Sequence, residues 1–214
     1  MPIMPTILTY LFDPLCGWCY GASPVIQKLG QQSNLTLELA PTGLFAGSNG
    51  RAMDVAFAEY AWTNDVRIEK LTGQRFTEEY RAQVLGKHGS RFDSETVTLA
   101  LTAVSMTEPQ RELEALKVLQ EARYVYAQDI TATSVVEKLL RDMSLVAAAV
   151  RLATRDAELR QATDARIRRA QHLLQTYGIT GVPNMVVTKG GESRLLRGDV
   201  LFGDIESLLD VLEK

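Results

Sequence analysis

Strand-forming signals in this chain are confined to its two ends, and that distribution constrains the fold more than any other feature. Residues 7–12 form an almost wholly apolar run with β-branched and aromatic members, the pattern of a strand covered on both faces. Leu35, Leu37 and Leu39 alternate with Thr36 and Glu38, a second strand that stops before Pro41. Between them residues 17–29 read as a helix, with Val25, Ile26 and Leu29 at helical spacing and Gly30 in the C-terminal capping position. Pro24 predicts a kink in it, because proline removes a backbone donor and crowds the preceding turn. Strand character then disappears until residues 185–188. There it returns, followed by a Gly190-Gly191 turn and a short run around Leu195 and Leu196, which predicts a hairpin. A last helix carries Ile205, Leu208, Leu209 and Leu212 on one stripe.

The stretch between is helical in pattern throughout. Expected helices cover residues 52–62, 77–86, 94–105, 110–127, 134–143 and 146–177, the last broken near Thr154. No internal repeat or low-complexity segment interrupts them. With 214 residues the chain can bury a full core, and it reads as one β-α-β unit and one β-β-α unit joined by helices.

The only two cysteines, Cys16 and Cys19, sit at the first strand-to-helix junction as Cys16-Gly17-Trp18-Cys19. A disulfide across so short a loop restricts the unfolded chain too little to hold a fold of this size. The remaining uses of C-x-x-C are redox catalysis and half of a zinc site. The two histidines, His88 and His172, show no zinc-ligand spacing to the cysteines, so no metal is expected. At a helix start, unpaired backbone N–H groups favour a thiolate on the first cysteine. Asp13 precedes that cysteine by three residues. It is either a proton relay for the second thiol or a turn residue hydrogen-bonded to the helix start. Trp18 is expected at the rim of the site, and Phe45, Phe57, Tyr60 and Trp62 either line a groove beside the cysteines or pack in the core.

A net charge of -3 gives no global attraction to nucleic acid or anionic membrane. Arg160, Arg166, Arg168 and Arg169 read as a solvated helix face. No apolar run approaches a membrane span, and residues 1–5 lack a basic leader pattern, so the expected location is the cytoplasm. In that reducing compartment a C-x-x-C is expected to be catalytic or metal-binding rather than structural.

Three spaced features carry a family resemblance: Cys16-Gly17-Trp18-Cys19 after a strand, Pro24 five positions beyond the second cysteine, and Gly181-Val182-Pro183 just before the returning strand. In these the chain resembles the thioredoxin superfamily, and with its long helical insertion the DsbA-like proteins. Phe12-Asp13-Pro14-Leu15, Tyr20-Gly21 and Asp129-Ile130 are similar to the cytoplasmic FrnE-like proteins and predicted protein-disulfide isomerases. Relatives of that group include 2-hydroxychromene-2-carboxylate isomerases and kappa-class glutathione transferases, which generally carry serine where this chain has Cys16. The second cysteine pair of some FrnE-like proteins is absent here.

The resemblance implies an α/β thioredoxin-like fold formed by residues 1–50 and 179–214, with residues 51–178 as a helical insertion domain. It implies that Pro183 is cis and exposes the Val182 backbone to an extended substrate. Cys16 is then the nucleophile and Cys19 the resolving thiol of a thiol-disulfide oxidoreductase or isomerase. Gly17, Trp18, Val182 and Phe45 are expected to contact substrate, and Asp13 to assist catalysis. With no charge between the cysteines, the pair is expected to be a milder oxidant than DsbA, whose potential is about -120 mV. No bound cofactor is expected, glutathione being a co-substrate at most. The expected partners are protein thiols or disulfides or glutathione, and the oligomeric state is left open. Two rival readings follow from the same residues: a glutathione-dependent transferase or isomerase, and a non-catalytic binding or chaperone module.

Overall fold

The computed structural model describes residues 6–213; residues 1–5, whose composition bears on a leader sequence, lie outside the described residues. Four strands form one mixed sheet in the order β2-β1-β5-β6. β1 (Thr6–Phe12) runs parallel to β2 (Leu35–Pro41) and antiparallel to β5 (Asn184–Lys189), which pairs antiparallel with β6 (Glu192–Leu196). The β5–β6 turn has positive φ at both Gly190 and Gly191, the conformation a two-residue hairpin needs and glycine adopts without strain.

The all-apolar character of β1 has a direct structural counterpart. Leu8, Tyr10 and Phe12 point into the main core, whereas Leu11 joins Ala40, Val186 and Ala170 in a smaller core on the opposite face. The two helices α1 (Gly17–Gly21) and α2 (Ser23–Gly30) cover the first face, and α10 (Ile205–Glu213) packs beside α2. The break between α1 and α2 falls at Ala22, so Pro24 occupies the first turn of α2, where its missing N–H costs little.

The helical stretch comprises α3 (Val55–Thr72), α4 (Glu78–Tyr80) continued by a π-helical turn at Arg81–Leu85, α5 (Glu95–Thr107), α6 (Glu112–Tyr124), α7 (Thr133–Asp142), α8 (Val146–Thr154) and α9 (Ala157–Thr176). The expected helix over residues 52–62 starts later and runs ten residues further. Asp54 caps its start by accepting the Phe57 N–H at 2.8 Å, and Gly73 closes it in the left-handed conformation. Two short strands not expected from the sequence, β3 (Arg51–Ala52) just ahead of α3 and β4 (Arg91–Phe92) just ahead of α5, pair antiparallel. α9, within the stretch expected as insertion, closes the second face of the sheet with Ala170, Leu173, Leu174 and Tyr177. Arg166 turns inward from the expected solvated face: it donates to the Leu39 carbonyl of β2 at 2.8 Å and pairs with the nearly buried Glu112 of α6.

Candidate active site

β1 delivers the chain to the site through a hydrogen-bonded corner. Asp13 is fully buried, and its carboxylate accepts from Leu15 N at 3.0 Å, Phe45 N at 3.0 Å and Ser94 Oγ at 2.8 Å. One side chain thus ties the end of β1 to the loop after β2 and to the start of α5. Burial pushes its pKa up, against the three donors, each of which favours the ionised form. Its main-chain carbonyl accepts the Cys16 N–H at 3.1 Å.

Cys16 is the N-cap residue of α1 and is half-buried; Cys19, one turn later, is 1 % exposed. Both are free thiols. Burial, then the hydrogen bond and charge of Cys16, hold the Cys19 thiol well above its ordinary range. The Tyr10 hydroxyl donates to the Cys19 carbonyl at 3.2 Å, fixing the inner end of α1 to the sheet.

The loop ahead of β5 comes back to the outer sulfur. The Val182–Pro183 peptide bond is cis, and the Cys16 Sγ lies 3.8 Å from the Val182 carbonyl oxygen. Asn184 Nδ2 donates to the Gly181 carbonyl at 2.9 Å, which closes this loop on itself. Gly198 supports it from beneath, because a Cβ at that position would overlap the Pro183 carbonyl oxygen. Residues separated by most of the chain therefore meet within one contact distance.

Two hollows are lined by the two partners of the Cys16–Val182 contact. One, of about 130 Å³, is lined by Cys16, Gly17 and Trp18 and by Phe45, Phe57, Tyr60, Tyr80, Phe92 and Tyr124. The other, of about 390 Å³, lies beyond Val182 between Thr42, Leu44, Asn49 and Gln171. Phe45 and Phe57 both meet Phe92 edge-on, so these aromatics serve the core and the wall of the hollow together. Of the four aromatics considered from sequence, Trp62 stands apart, stacked under Arg81. Trp18 packs edge-on against Phe202, with the Arg67 guanidinium 5.6 Å from its ring. A second cation, Arg51, lies 4.0 Å over the Phe57 ring. Among the described residues no group of three or more His, Cys, Asp or Glu side chains could hold a metal ion, and no helix is long and apolar enough to cross a membrane. His88 and His172 are both exposed.

One acidic residue of this hollow was not singled out by the sequence. Asp65 on α3 is 4 % exposed, and its carboxylate lies against Gly17, where a Cβ would overlap it. The Tyr80 hydroxyl donates to it at 3.1 Å. Arg123, 1 % exposed, lies behind Tyr80 and Tyr124 with its guanidinium 5.3–5.8 Å from the rings of Tyr80, Phe92 and Tyr124. Burial raises the Asp65 pKa to about 7 even though Tyr80 and Arg123 pull it down. The available signal was Gly17 itself, a residue inside the dithiol motif small enough to admit a neighbour.

A dithiol at a helix start, with its inner sulfur buried and its outer sulfur facing a cis-proline loop on this sheet, is the layout of a thioredoxin-fold thiol-disulfide oxidoreductase. The DSBA-like thioredoxin domain model matches residues 7–210, and the chain belongs to that family. A search of curated protein sequences returns no match. Among solved structures, the chain is similar to the cytosolic disulfide reductase DsbM from Pseudomonas aeruginosa, with 27% identity, 97% of each chain covered and a TM-score of 0.84. The same protein solved with GSH matches at 27% identity and a TM-score of 0.82, again over 97% of each chain. A Nitrosomonas europaea protein described as a candidate protein disulfide isomerase matches at 26% identity, 97% of each chain and a TM-score of 0.78. The site residues are thus carried by an enzyme fold of the disulfide oxidoreductase class.

Proposed function

We propose that this protein is a cytoplasmic disulfide reductase that uses glutathione as its electron donor, with Cys16 as nucleophile and Cys19 as resolving thiol. The observation that carries the reading is the pairing of a half-buried Cys16 Sγ, 3.8 Å from the Val182 carbonyl, with a fully enclosed Cys19. An extended substrate lying along Val182 brings its disulfide to the outer sulfur and cannot reach the inner one. The Cys16 thiolate attacks one substrate sulfur, forming a mixed disulfide and releasing the other half as a thiolate. Cys19, its thiol held high by burial and by Cys16, keeps its proton until that bond neutralises Cys16. It then loses the proton and attacks Cys16 Sγ, releasing the second half. Two electrons have passed to the substrate, and two glutathione molecules restore the dithiol by the reverse exchange.

Glutathione is supported by the likeness to DsbM solved with GSH and by Arg51 and Arg67, two cations at the rim suited to an anionic tripeptide. Pro183 and Val182 form the substrate ledge, Gly17, Trp18 and Phe45 the adjoining wall, and Asp13 anchors the corner that positions Cys16. Replacing Cys19 by Ser tests the reading. Disulfide turnover should collapse while Cys16 still forms a mixed disulfide. Persistence of a glutathione-conjugating or isomerising activity in that variant would favour the transferase reading, and full retention of every activity in Cys16→Ser would favour a binding module.

A further inference from the structure

Asp65 has no task in the disulfide exchange, yet it is the carboxylate that touches the dithiol motif. It reaches Gly17 from α3, shares the hollow with Cys16, and has a single hydroxyl donor, Tyr80. Behind it Arg123 is buried with its Nε free of any hydrogen-bond partner among the described residues. The groups acting on Asp65 are Tyr80 at the end of α4 and Arg123 of α6, and Cys16 at the start of α1 and Tyr124 of α6 line the same hollow. On α3 itself Arg67 is turned to Trp18. A lone buried carboxyl with one hydroxyl donor and one enclosed cation is poorly compensated, and burial places its titration near neutral pH, at about 7.

We propose that Asp65 is a positioning residue for Cys16: the Asp65–Tyr80–Arg123 cluster beneath Gly17 couples protonation of one buried carboxyl to the reactivity and redox balance of the dithiol. The inference rests on Cys16 being the reacting thiol. With Asp65 ionised, its charge opposes a thiolate on Cys16 and offsets Arg123. With Asp65 neutral, both the repulsion and that offset vanish, and the thiolate is favoured. By linkage the reverse also holds, so formation of the Cys16 thiolate draws a proton onto Asp65. Ionised Asp65 thereby destabilises the reduced pair and makes it a better electron donor, the direction a reductase needs.

The test is the rate at which iodoacetamide alkylates Cys16 in the reduced protein, followed across the neutral range by mass spectrometry of the Cys16 peptide. The wild-type rate should show an inflection near the Asp65 value, at about 7. In Asp65→Asn that inflection should vanish. Above it the rate should rise by about threefold to tenfold, since a larger thiolate fraction is partly offset by lower nucleophilicity. The equilibrium with glutathione should move towards reduced protein by a comparable factor. Tyr80→Phe keeps the carboxyl but removes its donor, so the inflection should move to higher pH, a shift that a purely structural role does not produce. It also decides the matter should Asp65→Asn fail to fold. An inflection unchanged in both variants would overturn the proposal. Alkylation needs no disulfide turnover, so a wild type inert towards disulfides that still shows these shifts would sink the proposed function and leave the coupling standing.

Discussion

Asp13 and Asp65 are both buried carboxylates within reach of the same short helix, and they differ in what surrounds them. Asp13 receives two backbone N–H groups and one hydroxyl, from three separate segments. Asp65 receives one hydroxyl and faces a cation enclosed by aromatic rings. Burial pushes both pKa values up. Burial alone does not assign a role: a carboxylate whose oxygens are committed to donors from several segments anchors a corner, and one left with a single donor is free to titrate.

The strongest way to break this contrast is Asp13→Ala. It leaves three buried donors without an acceptor, and the expected loss is about 3 kcal/mol or more in urea unfolding. A variant of full stability that only loses turnover would make Asp13 a relay and erase the distinction. The next effect is the pH dependence of stability contributed by Asp65. Its folded-state pKa, about 7, lies above the ordinary aspartate value of 3.8, so the native state holds a proton that the unfolded chain releases first. Its contribution is therefore full at acidic pH, declines as pH rises from the unfolded value and is lost once pH passes the folded one. The decline amounts to a few kcal/mol, at about 1.4 kcal/mol for every tenfold difference in proton affinity between the folded and unfolded carboxyl. Asp65→Asn should flatten it, as read from unfolding midpoints on either side of neutrality. Smaller again are two hydroxyl deletions. Ser94→Ala should cost about 1.5 kcal/mol and leave the Cys16 alkylation profile unchanged, because it touches only Asp13. Tyr80→Phe should cost about 1 kcal/mol and move that profile.

The difference between the two carboxylates also shows what could be read in the chain. Asp13 lies in the local segment Phe12-Asp13-Pro14-Leu15, directly between a strand and the dithiol, so its place at the corner was legible from neighbours in sequence while the choice between relay and turn residue stayed open. The Cys16–Cys19 pair was legible for a related reason, since a strand-helix junction is a local pattern, whereas the cis Pro183 was reached only through the family resemblance, because nothing in Gly181-Val182-Pro183 by itself favours cis over trans. Asp65 stands in Thr63-Asn64-Asp65-Val66-Arg67, beyond the expected end of the helix at Trp62 and inside the observed α3. Its burial arises because α1 presents Gly17 to α3 and because Tyr80 and Arg123 close over it, contacts between segments that no periodicity encodes. The short β3–β4 pair was missed on the same grounds, since two-residue strands carry no alternation. Gly198 carries no sequence signal of its own, because its role depends on the Pro183 carbonyl packed above it.

In the proposed exchange Cys16 is the attacking sulfur and Cys19 the one that completes it. Intact-mass analysis of the Cys19→Ala protein after exposure to glutathione disulfide tests it most directly. One glutathione held on Cys16 through a reducible bond, and stable against release, is the predicted result. An unmodified Cys16 under conditions where the wild type turns over glutathione disulfide would contradict it.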